Sequence, residues 1–369
     1  MAQQSTLEWF GTTTFRLRTP NLTIFLDAWL QRPPSIPQHL SVNEVTEADY
    51  IFISHAHFDH LPGASELALR TGAIVVANST AISCLERAGV PSNQLLQVAG
   101  GERIPLFTRA IREAARSGTC ALAPGPPGAP PLPHPSLAVV AAHCWPSLHC
   151  LIPASPTNMP ATLDTGLAYP LTPEQKNWGS TLDVNRGMIY GLLAIGDYVP
   201  AEQRDGKLQT FVQWLEDVNT HRGCFSGHDG GQLMFNFVLP EDKVEPVEAA
   251  LAKGEAAYKT LLWQAHLGAY EGIVRNMKPK PDVAILGAAG RPNHDGRPFV
   301  GTAAEFLREE VNWLDKPKRV VWCLHDECPV KPFTVDVKVA TELVEKDTAR
   351  ATRVLDMTHA KLYPIFPSH

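Results

Sequence analysis

Residues 53–63 read ISHAHFDHLPG and place three histidines and one aspartate within six positions, directly after an apolar, β-type run. His55 and His57 are two positions apart, and in an extended segment such residues point to the same face. Asp59 and His60 follow where the chain must turn. Imidazole and carboxylate groups are the ligands that suit zinc, manganese or iron. The stretch therefore predicts a metal site with all four side chains as ligands, in preference to a polar loop that is merely rich in histidine.

The segments around this motif alternate between strand and helix patterns. Residues 22–30 and 73–77 are apolar runs typical of buried strands, whereas residues 65–70 and 79–90 have the pattern of helices. Such βαβα alternation predicts a layered α/β fold. A chain of 369 residues, 44% of them hydrophobic, can bury a large core. We expect residues 1–369 to form a single domain.

Two segments are expected to differ from this alternation. Residues 123–135 are so rich in proline and glycine that they cannot form the interior of a helix or strand. We expect them to be an exposed loop inserted into the domain. Residues 243–277 carry apolar side chains at spacings that give a patchy helical face. We expect a helical segment there, with breaks at Gly254 and Gly268.

The charge balance and the cysteines limit the classes of function. The net charge is −6 and the pI is about 6.2. Lys and Arg form no block in the sequence, which disfavours a nucleic-acid partner. The seven cysteines are odd in number and lack a CxxC motif, so we expect reduced, mostly buried thiols. No apolar stretch approaches the ~20 residues of a membrane-spanning helix, and no secretion signal is recognisable. We therefore expect a soluble, cytoplasmic protein without an integral membrane segment.

The motif SHAHFDH resembles the HxHxDH signature of the metallo-β-lactamase superfamily. This resemblance implies an αββα four-layer sandwich with its metals at one edge. Further segments are similar to that family in the same order along the chain. They are LTIFLDAWL (22–30), similar to an early strand ending in a buried aspartate; LAVVAAHCWP (137–146), similar to a strand that delivers a histidine; GCFSGHDGG (223–231), similar to a turn with a metal-bridging aspartate; and RVVWCLHDE (319–327), similar to the final strand and histidine.

The resemblance implies two metal ions, each with its own ligands. His143 is preferred to His149 for the first ion, because His143 ends an apolar strand whereas His149 lies in a loop. Asp59 is expected to double as the catalytic proton acceptor. The first set of ligands is His55, His57 and His143, and the second is Asp59, His60 and His325.

The turn Gly227-His228-Asp229 differs from the family, which usually has Gly-Asp at this point. Counted from the preceding Ser-Gly, the bridging position is His228; counted from the carboxylate, it is Asp229. A carboxylate can bridge two cations and offset their repulsion, whereas a neutral imidazole binds through one nitrogen at a time. We therefore expect Asp229 to bridge the metals and His228 to be a terminal ligand or a neighbour.

Other side chains have expected roles around this site. Asp27 is expected to orient a ligand histidine, since a metal-bound imidazole normally donates its other N–H to a carboxylate or carbonyl. Cys144, Cys150 and Cys323 flank candidate ligands, but we expect them to be ordinary buried thiols. The expected walls of the substrate pocket are Trp145, Trp178, Tyr198 and His294.

The resemblance implies a hydrolase with two divalent metal ions, with zinc preferred and manganese or iron as alternatives. Two ions about 3.5–4 Å apart can lower the pKa of a shared water to ~7 and supply hydroxide at neutral pH. The opening WFGTTTFRL is most similar to the branch of ascorbate-6-phosphate lactonases and N-acylphosphatidylethanolamine-type phospholipases. We expect a small-molecule lactone, ester or amide as substrate. The alternatives are a phosphodiesterase acting on a phospholipid or nucleotide and a di-iron oxidoreductase on the same fold. The sequence is compatible with a monomer or a homo-oligomer.

Overall fold

The computed structural model describes residues 4–151, 159–168, 183–217, 224–241 and 245–366. The longest strands, LMFNFVLP and YKTLLWQ, are buried along nearly their whole length, as expected of strands covered on both faces. In chain order the strands are β1 (Thr6–Trp9), β2 (Phe15–Arg18), β3 (Thr23–Leu26), β4 (Tyr50–Phe52), β5 (Ile74–Ala77), β6 (Leu95–Gln97), β7 (Arg103–Leu106), β8 (Val140–Pro146), β9 (Thr162–Asp164), β10 (Leu233–Pro240), β11 (Tyr258–Gln264), β12 (Gly268–Ala269), β13 (Val283–Gly287), β14 (Asn293–His294), β15 (Arg297–Pro298), β16 (Arg319–Cys323), β17 (Thr334–Asp336), β18 (Arg353–Val354) and β19 (Tyr363–Pro364).

Side-chain caps begin several of the helices. Asn78 accepts a hydrogen bond from the Ala81 amide at 2.9 Å, and Thr302 forms a capping box with Glu305. None of the described helices has the length and apolar character needed to cross a bilayer. In chain order the helices are α1 (Ala64–Thr71), α2 (Ser79–Arg87), α3 (Arg109–Arg116), α4 (Asp183–Gly187), α5 (Ile195–Tyr198), α6 (Gly206–Glu216), α7 (Val247–Lys253), α8 (Glu271–Asn276), α9 (Ala303–Trp313) and α10 (Lys338–Asp347), with a π-helical turn at Met188–Leu192 and 3-10 turns at Val42–Glu44, Ser92–Gln94, Pro135–Leu137, Ala201–Gln203 and Glu255–Ala257.

Two seven-stranded sheets organise these elements. The first has the order β19-β1-β2-β3-β4-β5-β6 and the second has the order β18-β16-β13-β11-β10-β8-β7. Both combine an antiparallel part with a parallel part; β3 to β6 and β11, β13, β16 and β18 are the parallel parts. Two small sheets, β12-β14-β15 and β17-β9, lie outside them. The C-terminal ends of β4 and β11 each lead into a histidine-bearing loop.

The main core lies between the two large sheets. Phe52 from β4 packs edge-on against Phe235 and Phe237 from β10, with 4.9 Å between ring centroids in both pairs. Phe15 and Trp263 belong to the same buried cluster, one from each sheet. The two sheets therefore face each other across a shared apolar layer, the arrangement of a sandwich.

Helices cover the outer face of each sheet. Apolar side chains of α1 and α2 pack with β3, β4 and β5 in one buried cluster. Those of α9 and α10 pack with β11, β13 and β16 in another. The order of layers is helix, sheet, sheet, helix, so the predicted α/β class with an αββα four-layer sandwich is confirmed.

The helical prediction for residues 243–277 is wrong at its centre. The structure has short helices at Val247–Lys253 and Glu271–Asn276, but Tyr258–Gln264 is a strand paired with β10 and β13. The nearly continuous apolar run in residues 258–264 fits a strand that is buried on both faces as well as it fits a helix. Pairing with β10 and β13 makes this segment a strand. The prediction of one domain over residues 1–369 stays a prediction. Residues 124–132 are exposed and contain no helix or strand.

Candidate metal centre

The motif loop that follows β4 is held by hydrogen bonds from two sides, from Asp27 after β3 and from the 226–229 turn. The Ser54 amide donates to the carboxylate of Asp27 at 2.8 Å. The Ala56 amide donates to the carbonyl of Asp229 at 3.1 Å, and the Ser226 amide donates to the carbonyl of Ala56 at 2.8 Å. These contacts connect the first sheet, the motif and the 226–229 turn. They fix the backbone positions from which the motif side chains extend.

Five histidines gather at this loop. The ring of His55 lies 4.5 Å from that of His57 and 4.0 Å from that of His60, between centroids. It also lies 5.1 Å from the ring of His149 and 4.8 Å from that of His266. The chain thus brings two histidines from distant segments onto the three of the HxHxDH motif.

The nitrogen atoms of these rings form overlapping groups of possible metal ligands. In each group, one candidate ligand atom from each of three residues lies within 4.8 Å of the others. The groups share residues, so they form one continuous cluster of possible ligands. They are His55 with His57 and His149, His55 with His60 and His266, and His149 with Cys150 and His266.

Unsatisfied buried atoms show that this cluster fits a cation. Nε2 of His55, Nε2 of His60 and both ring nitrogens of His266 are buried, and none has a hydrogen-bond partner within the described parts of the chain. Each unsatisfied buried polar atom costs about 1–3 kcal/mol. A divalent metal could bind one deprotonated nitrogen of each of these rings, and imidazole nitrogens are ordinary zinc ligands.

Hydrogen bonds on the other side of the rings select which nitrogen is free. Nδ1 of His60 lies 2.6 Å from the carboxylate of Asp27, and Nδ1 of His55 lies 3.0 Å from Oγ of Ser54. Nδ1 of His149 lies 2.7 Å from the carbonyl of Cys150 and donates to it. The contact between Asp27 and His60 is the one expected of a carboxylate that orients a ligand histidine.

The electrostatics keep three of the rings neutral. Burial, together with the neighbouring imidazoles, lowers the pKa of His55, His57 and His266 well below the usual value. Neutral imidazole is the form that binds a metal. Burial also lowers the pKa of His149, although its hydrogen bond to Cys150 and the charge of Asp229 oppose this.

His60 behaves differently because two carboxylates flank it. Burial acts to lower its pKa, but Asp59 and Asp27 outweigh that effect and raise it to about 10. Asp59 lies 3.4 Å from Nε2 of His60, and its side chain is 21% exposed. Burial acts to raise the pKa of Asp59, but the neighbouring histidines outweigh it and lower the pKa to about 2. Asp59 is therefore an ionised carboxylate with one side open to solvent.

The structure does not bring His143 to this cluster. Side chains alternate along β8, and Val140, Ala142 and Cys144 point into the core between the sheets, so His143 points to the opposite face. Burial there and the charge of Arg103 lower the pKa of His143 to about 4. His143 is in no group of possible metal ligands found among the described residues. The alternative, His149, takes the position near the motif.

His325 also lies apart from the groups of possible ligands in the described chain. Its ring stacks on Trp9 with 5.1 Å between centroids, and Trp9 in turn contacts His359 at 4.2 Å. Burial lowers the pKa of His325. Its predicted role as a ligand stays a prediction that this placement does not support.

The 226–231 turn lies beside the cluster. The carboxylate of Asp229 accepts a hydrogen bond from the Gly231 amide at 3.2 Å, and its charge acts on His149. His228 is exposed, and its amide donates to Oγ of Ser226 at 3.0 Å. The charge of Asp229 therefore acts on a candidate ligand, whereas His228 is exposed to solvent. Which of the two binds metal stays a prediction.

The predicted pocket residues have other surroundings. The guanidinium of Arg103 lies over the ring of Trp145, with Cζ 4.5 Å from the ring centroid. The hydroxyl of Tyr198, whose residue is 56% exposed, donates to the carbonyl of Tyr190. His294 lies 2.9 Å from a carboxylate oxygen of Glu271. Each of these contacts is separate from the five histidines.

Trp178 lies outside the described residues.

His266 is a candidate ligand that was not predicted from the sequence, although its position carries a signal. It follows the buried strand β11 within the stretch LLWQAH, the same pattern of an apolar strand and then histidine that drew attention to LAVVAAH. Reading this region as helical hid the strand end.

Comparison with known families identifies a resemblance over part of this chain. Residues 23–135 match the family model described as the beta-lactamase superfamily domain. The match contains the whole HxHxDH motif and the buried Asp27. The predicted resemblance is thereby confirmed over residues 23–135, which are similar to a domain of the beta-lactamase superfamily.

Curated relatives share part of the chain. A protein named UPF0173 metal-dependent hydrolase from Anaeromyxobacter sp. (strain K) is 39% identical over 87 residues, which are 23% of this chain and 31% of that protein. One of the same name from Thermodesulfovibrio yellowstonii is 30% identical over 122 residues, which are 30% of this chain and 46% of that protein. The chain thus spans less than half of the length of these relatives.

Two solved structures are similar over most of this chain. The metallo hydrolase Igni18 of Ignicoccus hospitalis KIN4/I has 14% identity and a TM-score of 0.48, with 98% of each chain covered. CmlA, a diiron beta-hydroxylase from Streptomyces venezuelae, has 12% identity and a TM-score of 0.47, covering 99% of this chain and 55% of its own. Both TM-scores are low, so the choice between hydrolase and oxidoreductase rests on other observations.

Replacing His149 and His143 separately distinguishes the two positions. We expect His149→Ala to lower the metal content of the purified protein by at least half, because it removes a nitrogen from two of the three ligand groups. His143→Ala should leave the metal content unchanged, because its ring is on the opposite face of β8. Metal analysis of both proteins after identical metal loading and gel filtration measures this. The reverse pattern would restore His143 as the ligand.

The metal-free protein should be most stable near neutral pH. Below pH 6.5 the unfolded chain binds protons that the buried rings of His55, His57 and His266 reject, so the free energy of unfolding falls with acid. From pH 6.5 towards 10 the folded chain holds a proton on His60 that the unfolded chain has lost, so stability falls again with base.

Urea unfolding of chelator-treated protein between pH 5 and 9 tests this expectation. Asp27→Asn should flatten the alkaline limb, because it removes one of the charges that raise the pKa of His60. A free energy of unfolding that rises steadily from pH 7 to pH 5 would contradict the neutral state of the buried rings.

Proposed function

We propose that this protein is a metal-dependent hydrolase. The observation that carries the proposal is the gathering of five histidines, four of which have buried ring nitrogens without a partner in the described chain, beside an ionised, partly exposed aspartate. No ordinary packing requirement accounts for that combination, since a buried imidazole normally finds a hydrogen-bond partner. The names of the curated relatives support the same class.

The ligand set supports two divalent ions. A zinc ion is usually held by three or four protein ligands. Five imidazoles and the carboxylate of Asp59 exceed the needs of one ion, and the charge of Asp229 also acts on His149. We propose His55, His57 and His149 for one ion, and His60, His266 and Asp59 for the other. Zinc is preferred, because imidazole and carboxylate ligands suit it and no redox step is required.

When bound, the metal would supply a Lewis acid and would activate water as a nucleophile at neutral pH. The protein's own part is to hold the ligands and to move protons. Asp27 holds Nδ1 of His60, so that Nε2 faces the centre. Asp59 is ionised and open to solvent on one side, and we propose that one of its oxygens accepts the proton released during attack and passes it to the leaving group.

The proposed substrate is a lactone, ester or amide of a small molecule. A net charge of −6 without a basic block disfavours a polyanionic substrate such as RNA. All seven cysteines are free, which suits the proposed cytoplasmic location, where thiols are kept reduced.

Hydrolysis assays on metal-analysed protein test the proposal. Wild-type protein should contain about two divalent ions per chain and should cleave members of a panel of lactones, esters and amides, with bis(p-nitrophenyl) phosphate included. His57→Ala should lose most of its metal and at least 100-fold in kcat/KM. The change His134→Ala, at a half-buried histidine that caps the 3-10 turn Pro135–Leu137, is the matched control and should alter neither value.

The Asp59→Asn variant separates binding from chemistry. It should lower kcat by about 10²–10⁴-fold, the range for loss of a positioned acid or base, with a much smaller effect on KM. A protein that holds no metal after loading, or a metal-loaded protein that cleaves nothing in the panel, would contradict the proposed function. Cleavage of the phosphate diester alone would favour the phosphodiesterase alternative.

A further inference from the structure

We infer that the thiol of Cys150 is a further metal ligand, which acts with His149 and His266. This inference rests on the proposed metal-dependent function and deepens it, because it states the chemical character of the centre. A cysteine ligand would make the centre selective for a thiophilic ion such as zinc over manganese or magnesium.

The first observation is the position of the sulfur. Sγ of Cys150 lies within 4.8 Å of a ring nitrogen of His149 and of a ring nitrogen of His266. It is 3.6 Å from Nδ1 of His149. Zinc binds sulfur at ~2.3 Å and imidazole nitrogen at ~2.0–2.1 Å, so two ligands of one ion lie no more than ~4.4 Å apart. After a small inward shift, Sγ could therefore complete the coordination of an ion held by His149 or of one held by His266.

A second, independent observation comes from His266. Its residue is 3% exposed, and both ring nitrogens lack a hydrogen-bond partner within the described chain. Its ring stacks on that of His149 with 3.8 Å between centroids. The side chain of His266 is therefore buried and neutral, and one of its ring nitrogens lies near the sulfur of Cys150 without a hydrogen-bond partner in the described chain. A metal ion bound by both residues would satisfy that nitrogen.

The backbone makes room for the sulfur and holds it. Gly290 has a positive φ of 100°, and a Cβ added there would lie 2.5 Å from Sγ of Cys150. The next residues pair in both directions, because the Leu151 amide donates to the Arg291 carbonyl at 2.8 Å and the Arg291 amide donates back at 3.0 Å. Nδ2 of Asn293 donates to the carbonyl of His149 at 2.8 Å. These hydrogen bonds fix the backbone of segment 149–151 and thereby hold its side chains next to the cluster.

The other cysteines lack this arrangement. Cys144 and Cys323 are buried in the core between the sheets. Cys328 is nearer the centre, since the charge of Asp59 acts on both Cys328 and Cys150. However, Cys328 is in no group of possible ligands among the described residues. Cys328 is therefore the matched control for Cys150.

Cobalt substitution tests the inference without relying on activity. Metal-free protein is titrated with Co²⁺, and the near-ultraviolet absorption is recorded, where a thiolate bound to cobalt gives an intense charge-transfer band. The wild-type protein should develop this band in proportion to bound cobalt. Cys150→Ser should bind cobalt at least about 10-fold more weakly and lose the band, whereas Cys328→Ser should keep both. An outer-shell loss alone typically costs 10–100-fold in affinity, and a lost ligand should cost no less.

A labelling experiment on wild-type protein covers the case in which a variant fails to fold. Metal-free and zinc-loaded protein are treated with iodoacetamide, and each cysteine is quantified by peptide mass spectrometry. Zinc should protect Cys150 at least 10-fold more than Cys328. Bound cobalt without a charge-transfer band, a band that survives in Cys150→Ser, or equal protection of both thiols would overturn the inference and leave the proposed function intact. Failure to bind cobalt or zinc at all would overturn the proposed function and this inference with it.

Discussion

The carboxylate of Asp27 is the contact on which the rest of the centre depends. It is fully buried and accepts hydrogen bonds from the amide and the hydroxyl of Ser54 and from the hydroxyl of Thr13, while Nδ1 of His60 lies 2.6 Å away. Asp27 follows β3 and has a φ of 50°, an unusual conformation for a residue other than glycine. A buried charge with four partners is costly to disturb, because loss of the carboxylate leaves several donors unpaired. The end of one strand thereby fixes both the turn after the next strand and the orientation of a ligand.

The layered fold explains how histidines more than 200 positions apart come together. The apolar layer between the sheets sets the positions of β4 and β11, and each strand ends just before a histidine-bearing loop. The clamp on segment 149–151 adds His149 from a third segment. Rigid strands determine where the loops start, and short hydrogen-bonded turns determine where the side chains point. Such a site is largely pre-organised, as a metal centre requires.

The sequence alone pointed to the local part of this candidate centre, whereas the structure brings distant residues to it that the sequence did not favour. His55, His57, Asp59 and His60 are neighbours in the chain, so their spacing alone indicates a shared site. The layered fold followed from the alternation of apolar segments and from the family resemblance, and the family match and the structure confirm both.

The remaining candidate ligands, His149 and His266, could not be identified from the spacing of residues in the sequence. The choice between His143 and His149 turns on which face of β8 meets the core, and Ala142 and Cys144 turn out to occupy that face. His266 depends on whether residues 258–264 pair with β10 and β13, which the apolar pattern of a short run cannot decide. The apolar pattern of those residues fits either a helix or a strand, and pairing with the two neighbouring strands determines that they form a strand.

Crystallography of the zinc-reconstituted protein, with anomalous data collected on both sides of the zinc absorption edge, is the most direct measurement of the central claim. The account predicts anomalous peaks within bonding distance of ring nitrogens of His55, His57, His60, His149 and His266, and none beside His143. A peak bound by His143 or His325 in place of His149 and His266, or no peak among the five histidines, would contradict it.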